Sequence, residues 1–406
     1  MSCDSMQHPA GDAVRIAVIG VGHMGSAHAK AIFEGSVEGL RLTALCDTSE
    51  SRRAWCRDKF PGCEVFDDAH ALFASRLADA VIIATPHRFH ACLAQAAMEC
   101  GLHVLSEKPA DVSLVRTEPA LKTQKETGLV YAVMLNQRTD PLFQKAREIV
   151  QSGELGTLKR SVWIITNWYR TQHYYDSGDW RATWAGEGGG VLLNQAPHNL
   201  DLWQWICGMP EEVTAFCDVA RHHRIEVEDD ATIFTRYKGG ATGTFITSTG
   251  DCPGTNRLEI TGDRGKMVLE NGKLKLWRLE ESEREVCFHS DISMPKVPFT
   301  IEEYQPEDKG KAHRGILENF GRAIRFGEPL LSPAGEAIRE LAISNAAYLS
   351  AWEGNRPVSL SDTEAFTRFD RMLEEKASTS AYTRQEAAEP TFHPDAQYSN
   401  RWQVNW

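Results

Sequence analysis

The residues best suited to chemistry lie in one glycine-rich stretch, GGGVLLNQAPHNLD, at residues 188–201. Consecutive glycines let a backbone approach a ligand closely. Beyond them, Asn194, His198 and Asp201 are spaced at i, i+4 and i+7, so a helix through this segment would place them on one face. A histidine there can accept a proton, because its usual pKa is close to neutral. The stretch predicts a catalytic site, and the alternative is that Asn194 only caps a helix.

A second motif follows the first apolar run of the chain. The run RIAVIG leads into GVGHMG and then into a segment of helical character, which is the strand, glycine turn and helix of a dinucleotide site. A pyrophosphate would bind amides at the helix N-terminus. Asp47, about 20 residues further on, would bind ribose hydroxyls and repel a 2′-phosphate, so NAD is favoured, although Arg52 and Arg53 leave NADP open. The cofactor-binding residues predicted here are Gly20, Gly22, His23, Met24, Gly25 and Asp47.

Two later strands should bring polar residues to the same edge of the sheet. The run ADAVIIA precedes a TPHRFH segment, and HVLS precedes an EKP tripeptide. Ligands of open α/β sheets bind beyond the carboxyl ends of the strands, where Pro109 would fix Lys108 in place. An ammonium group there would stabilise a developing alkoxide, with His198 as the base. The further cofactor contacts predicted are Thr85, Pro86, His90, Glu107 and Lys108.

Substrate contacts are predicted from two more segments. Residues 167–184, NWYRTQHYYDSGDWRATW, combine aromatic rings that stack on sugar rings with side chains that bind hydroxyl groups. The alternatives for this segment are a loop packed by its own aromatic residues and an oligomer contact. The tripeptide NQR at 136–138 follows another apolar strand. The predicted substrate-binding residues are Asn136, Arg138, Trp168, Tyr169, Arg170, Tyr174 and Asp201, although Asp201 could instead support His198 from behind.

Taken in order, the GVGHMG turn, the TPHRFH segment, the EKP tripeptide and the GGG…HNLD stretch resemble the Gfo/Idh/MocA family, over roughly residues 15–352. The resemblance implies an N-terminal Rossmann domain, a second domain with a large, mostly antiparallel sheet, and NAD(P)-dependent oxidation of sugar or cyclitol hydroxyls. It also implies catalytic roles for Lys108 and His198. The family generally has an aspartate where this chain has Asn194, which cannot balance an imidazolium charge. Ala196 replaces a glycine that is often found there.

Composition limits the remaining possibilities. The 406 residues suit two domains, and the net charge of −12 comes without the basic stripe that a nucleic-acid partner requires. No apolar run reaches the roughly 20 residues needed to cross a bilayer, and the N-terminus lacks a signal pattern, so we expect a cytoplasmic protein without a membrane partner. Ten scattered cysteines without a C-x-x-C pair are typical of reduced thiols.

The predicted fold class is α/β. A Rossmann domain is expected in residues 1–135, an α+β domain with a large, mostly antiparallel open sheet in 136–376, and a C-terminal tail in 377–406 that wraps a neighbouring subunit or is loose. The sheet is wider than its helices can cover, so we expect a homodimer or homotetramer. The His and acidic residues of 222–230 lack metal-ligand spacing and predict a solvated loop, and no metal is expected.

These observations favour an NAD-dependent oxidoreductase that transfers a hydride between nicotinamide and a secondary hydroxyl of a sugar, glycoside or cyclitol. One alternative is glycoside cleavage through transient 3-keto oxidation and elimination, with the hydride returned at the end. Another alternative is a cofactor-sensing protein without catalysis. The presence of both Lys108 and His198 argues against the sensor.

Overall fold

The computed structural model describes residues 13–178 and 180–381, in which two β-sheets are covered by helices. The strands are β1 Val14–Ile19, β2 Leu40–Cys46, β3 Glu64–Phe66, β4 Ala80–Ile83, β5 His103–Ser106, β6 Tyr131–Val133, β7 Leu158–Ile165, β8 Glu212–Val219, β9 Glu228–Arg236, β10 Thr242–Ser248, β11 Asn256–Gly262, β12 Gly265–Glu270, β13 Lys273–Leu279, β14 Phe299–Tyr304 and β15 Val358–Ser359. The helices are α1 His23–Phe33, α2 Glu50–Lys59, α3 Ala69–Ala74, α4 His90–Glu99, α5 Leu114–Thr127, α6 Pro141–Gln151, α7 Gln172–Asp176, α8 Pro197–Cys207, α9 Glu283–His289, α10 Ala312–Phe326, α11 Ala334–Trp352 and α12 Thr363–Ser378.

The first sheet has six parallel strands in the order β3-β2-β1-β4-β5-β6. Its central strands β1 and β4 are apolar apart from Arg15 and are buried almost throughout, as expected when helices cover both faces of a parallel sheet. The chain order changes direction between β1 and β4, which opens a crevice beyond their carboxyl ends. The prediction of a Rossmann domain is confirmed.

The second sheet has nine strands in the order β14-β13-β12-β11-β7-β10-β9-β8-β15. Only β7 and β10 pair in parallel, so the prediction of a mostly antiparallel sheet is confirmed. One face packs on α8 and α11 around the buried rings of Trp163, Trp203 and Phe245. The other face of β8 and β9 exposes Phe216 and Phe234.

Two parts of the chain depart from the prediction by residue number. Helix α10, expected in the second domain, buries Ile316, Leu317 and Phe320 in the core of the first sheet. The hydroxyl of Ser332 then donates a hydrogen bond of 2.7 Å to the carbonyl oxygen of Val133. Helix α12 was not predicted and continues past 377, the expected start of the tail, while residues 382–406 of that tail lie outside the described residues. The boundary at 135/136 therefore stays a proposal.

The prediction of a solvated loop over residues 222–230 is wrong for its carboxyl-terminal part. Glu228 and Asp229 belong to β9 and are fully buried. The Glu228 carboxylate accepts hydrogen bonds from the amides of Gly190 and Leu192, and Asp229 accepts from the amide of His222. Burial of carboxylates is tolerated here because backbone donors surround them.

None of the described helices is long and apolar enough to cross a membrane.

Candidate active site

The glycine turn between β1 and α1 has the shape of an anion cradle. Gly20 has a φ of +83°, and a Cβ on Gly25 would lie 1.9 Å from the carbonyl oxygen of Gly20, so neither position accepts a side chain without strain. At Gly22 a Cβ would face open space, directly before the first amides of α1. His23 and Met24 form the first turn of α1 and are partly exposed. A helix N-terminus open on this side fits a diphosphate.

Asp47 lies at the carboxyl end of β2 and holds the turn from the other side. Its Oδ2 accepts a hydrogen bond of 2.8 Å from the amide of Val21, and its Oδ1 accepts one of 2.9 Å from the amide of Ser49. Each oxygen keeps a lone pair for a ribose hydroxyl. The guanidinium of Arg53 is committed to Glu50 and to the carbonyl oxygen of Asp47, which removes one of the two arginines that left NADP open.

The loops after β4 and β5 are tied together behind the crevice. His90 is buried between them, with Nδ1 2.7 Å from the carbonyl oxygen of Pro109 and Nε2 2.8 Å from that of Thr85. Glu107 is also buried and lies 2.6 Å from Nε2 of His28. Burial opposes ionisation of Glu107, but the hydrogen bond and charge of His28 outweigh it and lower the pKa to about 2. His90 and Glu107 therefore support the loops, whereas Thr85 and Pro86 lie at their accessible side.

Lys108 reaches from the first sheet to the glycine-rich segment that precedes α8. Its Nζ donates a hydrogen bond of 2.7 Å to the carbonyl oxygen of Asn194 and one of 3.2 Å to Oδ1 of the same residue. Burial lowers the pKa of Lys108 to about 8, although the carboxylates of Glu107 and Glu187 oppose this shift. Besides its bond to Cε, Nζ has three tetrahedral positions, and two of them are used by Asn194. The third position has no hydrogen-bond partner among the described residues.

The predicted common helical face is not formed, because α8 begins only at Pro197 and Asn194 lies in the turn before it. Ala196 occupies the N-cap position, so the alternative that Asn194 caps the helix is also wrong. Pro197 suits the first helical position because it has no backbone N–H to satisfy. The backbone amide of Asn194 donates a hydrogen bond to the carbonyl oxygen of Gly190, and this bond fixes the turn.

Glu187, directly before the three glycines, completes the surroundings of Asn194. It is fully buried, and its Oε1 accepts a hydrogen bond from Nδ2 of Asn194. Its Oε2 accepts one of 2.7 Å from the amide of Ala182. Burial raises the pKa of Glu187, while the positive charges of Arg181 and Lys108 act in the opposite direction. Glu187 was not among the predicted site residues, because its only signal in the sequence is an acidic side chain next to a glycine run.

His198 lies in the first turn of α8 and is buried. Its pKa is lowered to about 3, mainly by burial and further by the positive charge of Lys108, so the imidazole is neutral at physiological pH. His313 also interacts electrostatically with His198, and its Nδ1 lies 3.4 Å from Nδ2 of Asn136. Burial lowers the pKa of His313 to about 4. Asn136 thus lies beside the site as predicted, whereas His313 was missed.

The structure corrects two predicted substrate contacts. Arg138 and Asp201 are both fully buried and form a two-pronged ion pair, with Nε–Oδ2 and Nη2–Oδ1 distances of 2.8 and 2.6 Å. Nη1 of Arg138 also donates to Glu336 and to the carbonyl oxygen of Leu331. Because these partners occupy both side chains, the pair joins α8 to the start of α11 and does not face a substrate. Asp201 does not support His198 either.

The aromatic loop divides between the site and the core. The hydroxyl of Tyr174 accepts hydrogen bonds from Nη1 of Arg181, Nδ2 of Asn194 and Nε2 of Gln195, at 2.5, 3.1 and 3.0 Å. The guanidinium of Arg170 lies 5.1 Å from the centre of the Tyr174 ring. Tyr174 and Arg170 therefore stay candidates for substrate contact. Trp168 packs in the core of the second domain, and Tyr169 is exposed.

Comparison with known proteins agrees with this arrangement. Residues 14–135 match the model of an oxidoreductase family with an NAD-binding Rossmann fold, and residues 143–268 match the GFO/IDH/MocA C-terminal domain. The chain belongs to the Gfo/Idh/MocA family. It is an oxidoreductase, and its first domain is of the NAD-binding type. Among the described residues, no group of three or more His, Cys, Asp or Glu side chains is arranged to hold a metal ion.

Several relatives in the family have named activities. The chain is 25% identical over 354 residues to a myo-inositol 2-dehydrogenase from Thermotoga maritima, covering 86% of this chain and 99% of the relative. It is 24% identical to the scyllo-inositol 2-dehydrogenase (NAD(+)) of Bacillus subtilis, with 87% and 98% of the two chains covered. It is 28% identical to the D-glucoside 3-dehydrogenase of Escherichia coli over 199 residues, which cover 48% and 55% of the chains.

A solved structure in the family contains a bound cofactor. The WlbA dehydrogenase from Bordetella pertussis, in complex with NADH and UDP-GlcNAcA, superposes with a TM-score of 0.71 and 25% identity over 86% of this chain and 98% of that one. An oxidoreductase from Agrobacterium radiobacter shares the fold with a TM-score of 0.69 and 22% identity, over 86% and 98% of the chains. The same fold thus spans nearly the whole of both relatives.

Proposed function

We propose that this protein oxidises a secondary hydroxyl group of a sugar, glycoside or cyclitol. The observation that carries the proposal is the amine of Lys108, which Asn194 holds by two hydrogen bonds at the carboxyl edge of the Rossmann sheet. The inositol and glucoside activities of the relatives support this substrate class. Gly22, His23, Met24, Asp47, Thr85 and Pro86 would hold NAD+, which supplies the hydride acceptor.

The protonation states favour Lys108 as the base. A neutral lysine amine has two N–H donors and one lone pair. Asn194 accepts both hydrogens, which leaves the lone pair for the proton of the substrate hydroxyl. His198 was predicted to have this role, but an imidazole with a pKa of about 3 is a weak base, whereas a base with a pKa near the working pH is effective. His198 would instead orient the hydroxyl through a hydrogen bond.

The pH dependence tests this assignment. We expect kcat/KM for oxidation to rise between pH 7 and 9, because the lowered pKa of Lys108, about 8, lies in that range and the amine must lose its proton to act as a base. If Lys108 acted only as an ammonium donor, activity would fall over the same range. A pH profile measured with saturating NAD+ distinguishes the two outcomes by sign.

The substrate class is tested with purified protein, NAD+ and a panel of sugars, glycosides and inositols. Formation of NADH with at least one member supports the proposal, and its absence with all of them contradicts it. The second candidate function is glycoside cleavage, which is supported by the similarity to a D-glucoside 3-dehydrogenase. Cleavage would release the aglycone without accumulating NADH. A sensor would bind NAD and give neither product.

We also propose a homodimer or homotetramer that forms through the outer face of the second sheet. Phe216 and Phe234 lie on neighbouring strands of this face and are about half exposed. We expect sedimentation to give a multiple of the 45.3 kDa protomer and the double variant F216K/F234K to shift it toward the monomer. A monomeric wild type would contradict the proposal.

The nine described cysteines are free thiols, which suits the proposed cytoplasmic location.

A further inference from the structure

Glu187 is a buried carboxylate whose position needs an explanation. Burying a charge costs free energy unless hydrogen bonds or opposite charges compensate. Its Oε2 accepts from the amide of Ala182 at 2.7 Å, and its Oε1 accepts from Nδ2 of Asn194. Its backbone carbonyl oxygen also lies 3.0 Å from Nδ1 of His87, in the loop after β4. The carboxylate is therefore held firmly on the side of Asn194 opposite Lys108.

The two ends of the Asn194 amide differ in hydrogen-bonding character. Its Oδ1 accepts from Nζ of Lys108, and its Nδ2 donates to Glu187. An ionised carboxylate can only accept hydrogen bonds, so Glu187 binds Nδ2 and repels Oδ1. In the flipped amide, two N–H groups would face the lysine amine and Oδ1 would face the carboxylate. Glu187 excludes this flipped state.

We propose that Glu187 is a positioning residue for the oxidation, which acts by fixing the Asn194 amide so that Lys108 keeps its third position directed at the substrate hydroxyl. The inference rests on the proposed function, because it requires Lys108 to exchange a proton with the substrate. An aspartate at position 194 would accept from Lys108 in either orientation and would need no such neighbour. With asparagine at position 194, Glu187 has to fix the orientation of the side-chain amide. Glu187 also supplies the negative charge that an aspartate at position 194 would carry.

The first test is the variant Glu187→Gln. A glutamine offers both a donor and an acceptor, so Glu187→Gln no longer repels Oδ1 of Asn194, and only the hydroxyl of Tyr174 and Nζ of Lys108 still favour the original orientation of the side-chain amide. We expect kcat to fall about ten- to a hundredfold, the loss typical of a misplaced catalytic group. Removing the negative charge should also move the pH midpoint of kcat/KM downward, because Glu187 raises the pKa of Lys108. The pH dependence of Lys108 acylation in the cofactor-free protein, followed by mass spectrometry, should shift in the same direction.

The second test is a rescue with Asn194→Asp. In the double variant E187Q/N194D, the new carboxylate accepts from Lys108 without needing a fixed orientation. We expect this variant to recover most of the lost kcat and to have a higher pH midpoint than E187Q. The single variant N194D keeps Glu187 and places two carboxylates side by side, so it should be less active than the double variant.

The matched control is Glu228→Gln. Glu228 is equally buried and accepts from the amides of Gly190 and Leu192 on the same glycine-rich segment, but it bonds neither Asn194 nor Lys108. We expect E228Q to leave the pH midpoint at its wild-type value. The inference is overturned if E187Q keeps the wild-type pH midpoint. It is also overturned if the double variant E187Q/N194D does not recover the kcat that E187Q loses. If wild-type protein forms no NADH with any substrate, the proposed function fails and the inference fails with it.

Discussion

Replacing Lys108 with methionine is expected to lower kcat for hydroxyl oxidation by about 10³-fold, within the range that a positioned proton acceptor contributes. Methionine keeps much of the length of the side chain but has no amine to accept the proton. The carbonyl oxygen and Oδ1 of Asn194 would lose their donor. Binding of NAD+, measured by fluorescence titration, should change little, because the glycine turn and Asp47 remain intact. Steady-state kinetics with the best substrate of the panel gives the size of the effect.

Lys108→Arg is the control that separates charge from proton exchange. Arginine keeps the positive charge but does not lose its proton in proteins, and its planar fork does not reproduce the geometry of an amine. We expect K108R to be almost as inactive as K108M. Activity close to wild type in K108R would show that a cation suffices, and Lys108 would then not be the base.

Replacing Arg138 with methionine is expected to destabilise the folded protein by about 3–5 kcal/mol, the cost of leaving a buried charge without its partner. Among the described residues, the carboxylate of Asp201 would keep only the side-chain amide of Gln204 as a hydrogen-bond donor, and Glu336 would lose the guanidinium of Arg138. Urea unfolding followed by fluorescence measures the change. The KM for substrate in folded R138M should stay near the wild-type value, because the hydrogen bonds of Arg138 are all made to other protein groups.

The matched control for Arg138 is Arg257→Met. Arg257 also bonds two carboxylates, Glu259 and Glu270, but its side chain is about one-third exposed. Ion pairs of this kind contribute less than about 1 kcal/mol. If R138M and R257M are equally stable, the buried pair does not hold α8 in place. A large rise in KM for R138M at full stability would restore Arg138 as a substrate contact.

The sequence predicted those parts of the site whose position is determined by short motifs of neighbouring residues. A glycine turn after an apolar strand, and a proline after EK, place Gly22, Asp47 and Lys108 at the edge of a parallel sheet, because the carboxyl ends of such strands meet there. The prediction of a Rossmann domain came from the strand, glycine turn and helix, and the mostly antiparallel second sheet was what the resemblance to the family implied. These features depend on residues that are close in sequence.

The parts that the sequence did not predict depend on which distant residues become partners. Arg138 and Asp201 are 63 residues apart, and each has the chemistry of a sugar ligand, so only their mutual contact shows that they are structural. Glu228 and Asp229 looked solvated because an acidic residue gives no sign of the backbone donors that surround it once it is buried. The helix expected through Asn194 failed because Pro197 begins a new helix three residues later.

The return of α10 to the first sheet has a consequence for how the chain is made. Ile316, Leu317 and Phe320 complete the core around β1 and β2, yet they are synthesised only after more than three-quarters of the 406 residues. Until then the cofactor domain has an uncovered apolar face. A gene fragment that ends at residue 135 would encode every glycine of the nucleotide turn and still lack part of the core on which that turn rests.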